Sequence, residues 1–337
     1  MPDFSKRLRP PQGSHRPRAR VARLFLRLLA LGAFVGTLPR SAAAEPPPRK
    51  NASTLESCLT PLILAHKGKV AVAVKHLGTG ESFEHHADDV MTTASLIKFP
   101  VMIEVYRQAA AKQIDLDAVI VLKKSDKVPG SGVLTQHFSD GATFRLRDAV
   151  RLMIAFSDNT ATNIVLDAIG IGATAATMEK LGYPNTKIHS KVFRRDSSVF
   201  PERSRQYGLG STTAREMIRL CEAVYRNEVV SPEACKEMLG HLRACEDRDK
   251  LPRFLPPETK VAYKTGSLDA AKTAAGIIEW PHGPVGICVL TDDNEDKRWV
   301  TDNAGNKLCA DVARAVYDHF DQAAAASAET VKKRDRE

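Results

Sequence analysis

The chain has 337 residues, of which 43% are hydrophobic and 26% charged, and its formal net charge is +9. Nine lysines and arginines against Asp3 give residues 1–44 a net charge of +8, so the rest of the chain carries only about +1. The basic composition therefore gives no reason to expect a nucleic-acid partner, and the length after residue 44 suits one domain of two lobes or two small domains.

Residues 1–44 have the pattern of an export signal. A basic beginning is followed by an apolar stretch at 24–38, which Arg27 interrupts, and then by Ala42-Ala43-Ala44. Small residues of this kind precede a signal-peptide cleavage site, and the apolar stretch is too short for a stable membrane span. We therefore predict an exported protein, periplasmic or secreted, with a signal peptide at 1–44 and a proline-rich linker at 45–54.

Strand patterns occur near both ends of the remaining chain. A hairpin is expected around Gly78-Thr79-Gly80, and further strands at 261–264, 274–279 and 285–290. Residues 101 to about 218 are mostly helical, a closing helix spans 304–320, and a disordered tail is expected at 322–337. Strands at both ends with helices between them predict a two-lobed α/β protein of the α+β type. It would have one domain at 55–321, built from an antiparallel sheet of both chain ends and an inserted all-helical lobe at about 101–212.

Ser95-Leu96-Ile97-Lys98 is the first motif with chemical meaning. On a helix, expected here from Ser95 to Ala111, residues three apart lie on one face, so Lys98 would lie beside the Ser95 hydroxyl. Serine is a poor nucleophile until a neighbouring base takes its proton. A lysine is such a base only when burial or a nearby positive charge, such as that of Lys264, destabilises its ammonium form. The alternative is an ordinary helix sequence without function.

Ser157-Asp158-Asn159 is the second motif, and it separates two apolar helical stretches at 146–156 and 160–169. A short turn between helices can direct Ser157 and Asn159 into a cleft. Ser157 would then pass a proton to the leaving nitrogen, and Asn159 would hold Lys98 or a substrate amide. The alternative is that the motif only caps a helix.

Lys264-Thr265-Gly266-Ser267 is the third motif and follows a short apolar strand. Lys264 and Thr265 would bind a substrate carboxylate, and Gly266 would allow a ligand backbone to approach closely. The main-chain N–H groups of Ser95 and Ser267 would bind a developing oxyanion. The alternative is a turn that follows an ordinary strand.

Together, and in this order, the three motifs resemble those of class A β-lactamases within the family of penicillin-recognising serine hydrolases. The resemblance extends to Pro129–Leu134, Thr143–Asp148 and Ser211–Met217, and it covers about residues 55–320. It implies the β-lactamase/transpeptidase fold and opening of β-lactam amides through an acyl-serine intermediate. The implied substrate is a β-lactam or a peptidoglycan-type acyl-D-Ala-D-Ala compound, and the implied protein is a monomer without a cofactor or metal.

One element of class A enzymes is missing. Their omega loop carries Glu-x-x-Leu-Asn, whose glutamate activates the water that hydrolyses the acyl-enzyme, and the corresponding stretch here is Ile188–Asp196 without that pattern. Glu202 is the only glutamate between Lys180 and Thr213. It would either be the deacylating base in a rearranged loop or form a surface ion pair with Arg203 or Arg205.

The missing glutamate leaves three functions open. The first is a β-lactamase, and the second is a D,D-peptidase or esterase in which a β-lactam acyl-enzyme is hydrolysed slowly or not at all. The third is a non-catalytic module that binds cell wall or β-lactams, against which the intact motifs argue. Fluorescent penicillin followed by intact mass over time distinguishes them.

Six cysteines follow residue 44, at positions 58, 221, 235, 245, 288 and 309. An even number in an exported protein permits disulfides. Cys58 and Cys309 fall in the first and last helical segments, which pack together in the resembled fold, so the resemblance implies a disulfide between them. Buried free thiols are the alternative.

Overall fold

The computed structural model describes residues 54–334. The predicted signal peptide at 1–44 and nearly all of the linker at 45–54 lie outside the described residues. The first described residue, Thr54, is the N-cap of the first helix, where its hydroxyl oxygen accepts a hydrogen bond from Ser57 N at 3.1 Å. Among the described residues, no single helix is both long enough and apolar enough to cross a membrane. Only the bent pair Asn159–Ile169 and Ile171–Lys180 meets both criteria when its two helices are taken together.

Helices and strands alternate unevenly along the chain. The helices are α1 Leu55–Ala65, α2 Lys98–Ala110, α3 Leu134–His137, α4 Leu146–Ala155, α5 Asn159–Ile169, α6 Ile171–Lys180, α7 Pro201–Tyr207, α8 Ala214–Tyr225, α9 Pro232–Arg243 and α10 Ala304–Arg334. The strands are β1 Lys69–His76, β2 Ser82–His85, β3 Met91–Thr92, β4 Val119–Val121, β5 Thr143–Arg145, β6 Lys187–Ile188, β7 Gly210–Thr212, β8 Lys260–Leu268, β9 Ala271–Glu279 and β10 Val285–Asp292.

The main sheet joins the two ends of the described chain. Its strand order is β2-β1-β10-β9-β8, and every neighbouring pair is antiparallel. The hairpin expected around Gly78-Thr79-Gly80 forms, and the strands expected at 274–279 and 285–290 pair with each other. Strand β1 also pairs with β10, where Lys69 lies opposite Asp292. The predicted antiparallel sheet of both chain ends is confirmed, and β8, which carries the third motif, forms one edge of it.

The sheet separates two hydrophobic cores because successive side chains on a strand point to opposite faces. Ala71 and Ala73 of β1 belong to the core shared with α2, α4 and α8, whereas Val72 and Val74 belong to the core shared with α1 and α10. Helices therefore cover both faces, and the sheet is buried between them. This is the two-lobed α+β architecture that the sequence predicts.

The inserted lobe is not entirely helical, and that part of the prediction is wrong. Two short antiparallel sheets, β4-β5 and β3-β7-β6, contribute strands between residues 101 and 212. These strands are only two or three residues long. Segments so short show no alternation of apolar and polar residues, so no sequence pattern indicates them.

Two predictions near the termini of the domain are also wrong. Helix α10 continues to Arg334, so residues 322–334 are helical where disorder was expected. The run Ala323–Ala326 explains this result, because alanine has the highest helix propensity. Helices α1 and α10 do pack together, but all six cysteines are free thiols, and no disulfide joins Cys58 to Cys309.

Asp158 connects the turn between α4 and α5 to the loop that precedes α3. One carboxylate oxygen caps α5 by accepting from Ala161 N at 2.8 Å, and the other accepts from Val133 N at 2.7 Å and Leu134 N at 2.9 Å. A Cβ on Gly132 would lie 2.3 Å from the Asp158 carboxyl carbon, so only glycine leaves room for this contact. The helix-capping alternative thus holds for Asp158, whereas its neighbour Ser157 lines the cleft.

We expect Asp158→Ala to lower the free energy of unfolding by about 3 kcal/mol, because it removes a helix cap and leaves two further backbone N–H groups without their charged acceptor. Urea denaturation measures this loss. Asp140→Ala, which removes an exposed ion pair with Lys127 (2.8 Å), is the control and should change stability little. Equal losses in the two variants would contradict the role given to Asp158.

Candidate active site

Ser95 lies on a 3₁₀ turn, Ala94–Ile97, and the α-helix begins only at Lys98. The expected regular helix from Ser95 is therefore replaced by a tighter first turn, in which Lys98 N–H donates to Ser95 O. Pro100 explains the difference, since it has no N–H to donate to the carbonyl of Leu96, four residues earlier. The turn leaves Ser95 half-buried and lining a cleft of about 560 Å³.

Lys98 is fully buried at the start of α2, yet its amine has only neutral partners. Nζ donates to Ser157 O at 2.6 Å, to Asn159 Oδ1 at 2.9 Å and to Ser157 Oγ at 3.3 Å. Burial, and then the nearby charge of Lys264, hold the pKa of Lys98 well below its ordinary value, and Asp158 opposes them only in part. A lysine in this environment is suited to accept a proton.

Ser157 lies between two amines. Its Oγ is 3.3 Å from Lys98 Nζ and 3.2 Å from Lys264 Nζ. Its backbone has φ of +54°, the left-handed conformation that costs most residues other than glycine roughly 1–2 kcal/mol. The hydroxyl is thereby placed where a proton can pass between the amines and a group bound in the cleft.

Asn159 fixes Lys98 rather than facing solvent. While its Oδ1 accepts from Lys98 Nζ, its Nδ2 donates to Pro129 O at 3.0 Å. Asn159 was expected to hold either Lys98 or a substrate amide, and the structure shows that it holds Lys98. Both the oxygen and the nitrogen of its side-chain amide are hydrogen-bonded within the protein.

Lys264 and Thr265 follow on β8, and both side chains are buried. Lys264 Nζ also donates to Thr265 O at 2.7 Å, and burial lowers the pKa of Lys264. Thr265 Oγ1 donates to Asp247 Oδ2 at 2.8 Å. Ser267, two residues further along the same strand, lines the cleft together with Ser95, Ser157 and Lys264.

Gly266 allows two segments of the protein itself to meet. A Cβ at this position would lie 2.4 Å from Thr93 O and 2.9 Å from Leu96 N, so any larger residue would displace the turn that carries Ser95. Thr273 on β9 holds the same turn by donating to Thr93 O at 2.8 Å. We expected Gly266 to admit a ligand backbone, whereas the structure shows that it admits the backbone of the Ser95 turn.

A family model described as the β-lactamase enzyme family matches residues 54–320. The chain belongs to this family. It is 32% identical over 271 residues to a β-lactamase of Streptomyces cellulosae, a match that covers 78% of this chain and 83% of the relative. These findings identify the protein as a serine hydrolase-like enzyme.

Solved structures confirm the predicted β-lactamase/transpeptidase fold. A β-lactamase from Sphaerobacter thermophilus superimposes with a TM-score of 0.71 at 30% identity, over 79% of this chain and 98% of the other. A mutant of PBP-A, solved as its acyl-enzyme complex with penicillin G, superimposes with a TM-score of 0.69 at 21% identity, over 80% and 96% of the two chains.

The deacylating glutamate of class A β-lactamases has no counterpart among Ile188–Asp196, and none of those residues lines the cleft. Glu202 lies on α7, where its side chain is 86% exposed and pairs with Arg205. The loop itself is held by Asn163, whose amide exchanges hydrogen bonds with the backbone of Val192 at 2.8 and 3.1 Å. Within the described residues, none between 158 and 244 lines the cleft.

Several cleft residues were not foreseen from the sequence. They come from the loop after α9 and from the region before and at the start of α10, and they include Asp247, Lys250, Trp299, Thr301 and Asn306. The stretch Glu246–Lys250 has the composition of a solvated charged loop. Lys250 is nevertheless buried, and its Nζ lies 2.7 Å from Asp247 Oδ2. The three-residue spacing of this pair is the only sequence signal, and it is a weak one.

The charge of Lys264 should govern the pH at which Lys98 can act as a base. Lys264→Gln removes the second cause of the depressed Lys98 pKa, so that pKa should rise. Because the base must be neutral, the acidic limb of the rate profile with uncharged nitrophenyl acetate should move to higher pH. Lys260→Gln, an exposed change on the same strand, should leave the limb in place. An unmoved limb in Lys264→Gln would show that Lys264 does not tune the base.

Proposed function

We propose that this protein is an exported active-site serine hydrolase of the class A β-lactamase type, which opens β-lactam amides through an acyl-Ser95 intermediate. The proposal rests on the amine of Lys98, which is buried and has a lowered pKa. Ser157 Oγ lies between this amine and that of Lys264, beside the cleft that Ser95 lines. Two amines and a relay hydroxyl at a cleft that a serine lines are the parts that acyl transfer requires.

The proposed reaction has two steps. Lys98 takes the proton of the Ser95 hydroxyl as Oγ attacks the β-lactam carbonyl, and the N–H groups of Ser95 and Ser267 bind the oxyanion. The carbon–nitrogen bond then breaks, and Ser157 delivers its hydroxyl proton to the leaving nitrogen while it takes a proton from the Lys98 ammonium, which becomes neutral again. Lys264 and Thr265 bind the substrate carboxylate. Water finally hydrolyses the Ser95 ester and regenerates the hydroxyl.

A second candidate is a D,D-peptidase or esterase that forms the same acyl-serine but hydrolyses a β-lactam adduct slowly. The exposed Glu202 and the absence of Glu-x-x-Leu-Asn favour this candidate for the second step. A protein of this fold, the PBP-A mutant, was solved as its acyl-enzyme complex with penicillin G, so a penicillin adduct on this fold can last long enough to be observed. The substrate of this candidate is a peptidoglycan-type acyl-D-Ala-D-Ala compound.

Incubation with a fluorescent penicillin, followed by intact mass over time, should show a covalent adduct at Ser95. Ser95→Ala should give no adduct, and Lys98→Ala should slow its formation by roughly 10²–10⁴-fold, the usual contribution of a general base. A transient adduct indicates a β-lactamase and a lasting one the second candidate. Peptide mapping of the adduct to another serine would refute the assignment of the nucleophile.

Glu202→Gln should leave both adduct formation and its decay unchanged, because the carboxylate is exposed and paired with Arg205. Single-turnover mass spectrometry measures both rates in one experiment, with Ser95→Ala as the blank. Accumulation of the adduct in Glu202→Gln alone, together with loss of steady-state hydrolysis, would instead make Glu202 the deacylating base.

A further inference from the structure

Asp247 lies in the loop after α9, and its carboxylate lines the same cleft as the catalytic motifs. It accepts from Thr265 Oγ1 at 2.8 Å, from Lys250 Nζ at 2.7 Å and from Asp249 N at 3.1 Å. Its main-chain carbonyl accepts from Tyr263 Oη at 2.8 Å, which fixes the loop against β8. The carboxylate is therefore held firmly beside the residue expected to bind a substrate carboxylate.

Thr265 has one hydroxyl hydrogen, and that hydrogen is directed at Asp247. A hydroxyl offers one donor and two lone pairs, so Thr265 presents only lone pairs to a ligand while it donates to Asp247. A carboxylate ligand accepts hydrogen bonds and cannot use those lone pairs. It must compete with Asp247 for the hydrogen.

The charge of Asp247 also disfavours a substrate carboxylate at Thr265. Burial alone would raise the pKa of Asp247, but Lys250 and the bond from Thr265 outweigh burial and lower it, so the group is anionic at neutral pH. Lys250 is buried and is paired with this carboxylate. A second carboxylate at Thr265 would thus meet a fixed negative charge and a cation that is already neutralised.

We propose that Asp247 is a specificity-determining residue that disfavours substrates with a carboxylate next to the scissile bond, because it occupies the Thr265 hydroxyl and the Lys250 ammonium. The inference rests on the proposed acyl-transfer function. Among the acyl compounds of the proposed function, the site therefore reacts faster with those whose carboxylate is masked, because a free carboxylate binds Lys264 and Thr265 only after it has taken the Thr265 hydrogen from Asp247.

The test compares benzylpenicillin with its methyl ester, which differ only in the carboxylate charge. The second-order rate constant of acylation is measured for both by intact mass, and their acid-to-ester ratio is the readout. In Asp247→Asn this ratio should rise about tenfold or more, which corresponds to about 1.4 kcal/mol. A merely structural role for Asp247 would lower both rates and leave the ratio unchanged.

Asp249→Asn is the matched control. It removes the same charge from the same cleft lining, but the Asp249 carboxylate accepts from Thr301 Oγ1 at 3.4 Å and not from Thr265. Its ratio should stay near that of the unaltered enzyme. An equal rise in both variants would mean that general electrostatics, and not competition for Thr265, sets the preference, and would overturn the proposal.

Asp247→Asn leaves Lys250 buried without its acid, so Asp247→Asn/Lys250→Met is the second variant, with the original net charge. Its ratio should still exceed that of the unaltered enzyme, because the uncharged amide oxygen of Asn competes less strongly than the Asp247 carboxylate for the Thr265 hydrogen. A ratio that is unchanged or lower in both variants overturns the inference while acylation itself stands. If neither penicillin nor its ester acylates the unaltered enzyme, the proposed function fails and the inference fails with it.

Discussion

Two fully buried lysine amines that share one serine hydroxyl are the constraint on which the site depends. Lys98 and Lys264 each lie within hydrogen-bonding distance of Ser157 Oγ, and among residues 54–334 neither forms an ion pair with a carboxylate. Two ammonium ions so close in a buried site would repel strongly, so one of them gives up its proton more readily. Burial and the charge of Lys264 hold the pKa of Lys98 well below its ordinary value, and Lys98 is the amine nearest in sequence to the proposed nucleophile, Ser95.

The surrounding structure fixes the positions of the Lys98 amine, the Lys264 amine and the Ser157 hydroxyl. Asp158 fixes the turn that gives Ser157 its left-handed backbone, Asn159 grips the Lys98 amine, and Gly266 lets the Ser95 turn lie against the sheet edge. The contacts of Asp158 and Asn159 lie within the helical lobe, whereas the approach of Gly266 and the bond from Lys264 to Ser157 join that lobe to the sheet. The site is consequently a property of the interface between the lobes, and the loop that lacks the family glutamate takes no part in this scaffold.

The sequence predicted what depends on local spacing. Motif order indicated Ser95, Lys98, Ser157 and Lys264, and apolar runs bounded by turn residues indicated the long strands of the main sheet. Contacts between distant residues left no such signal: the approach of Gly266 to Thr93 and the bond from Thr265 to Asp247 arise only after folding. The same holds for strands of two or three residues, whereas the alanines at 323–326 favour the extension of α10.

The strand order has a consequence for how the chain folds. β1 pairs with β10, and the two strands are more than two hundred residues apart in sequence. During synthesis, the apolar β1 and β2 hairpin must wait until almost the whole domain has emerged before its second edge is covered. Non-local pairing of this kind slows folding and leaves apolar strands open to aggregation in the interval. The architecture that brings three distant motifs to one cleft therefore has a cost during folding. Until β10 has been synthesised, the exposed apolar strands of this chain must be kept from associating with other chains.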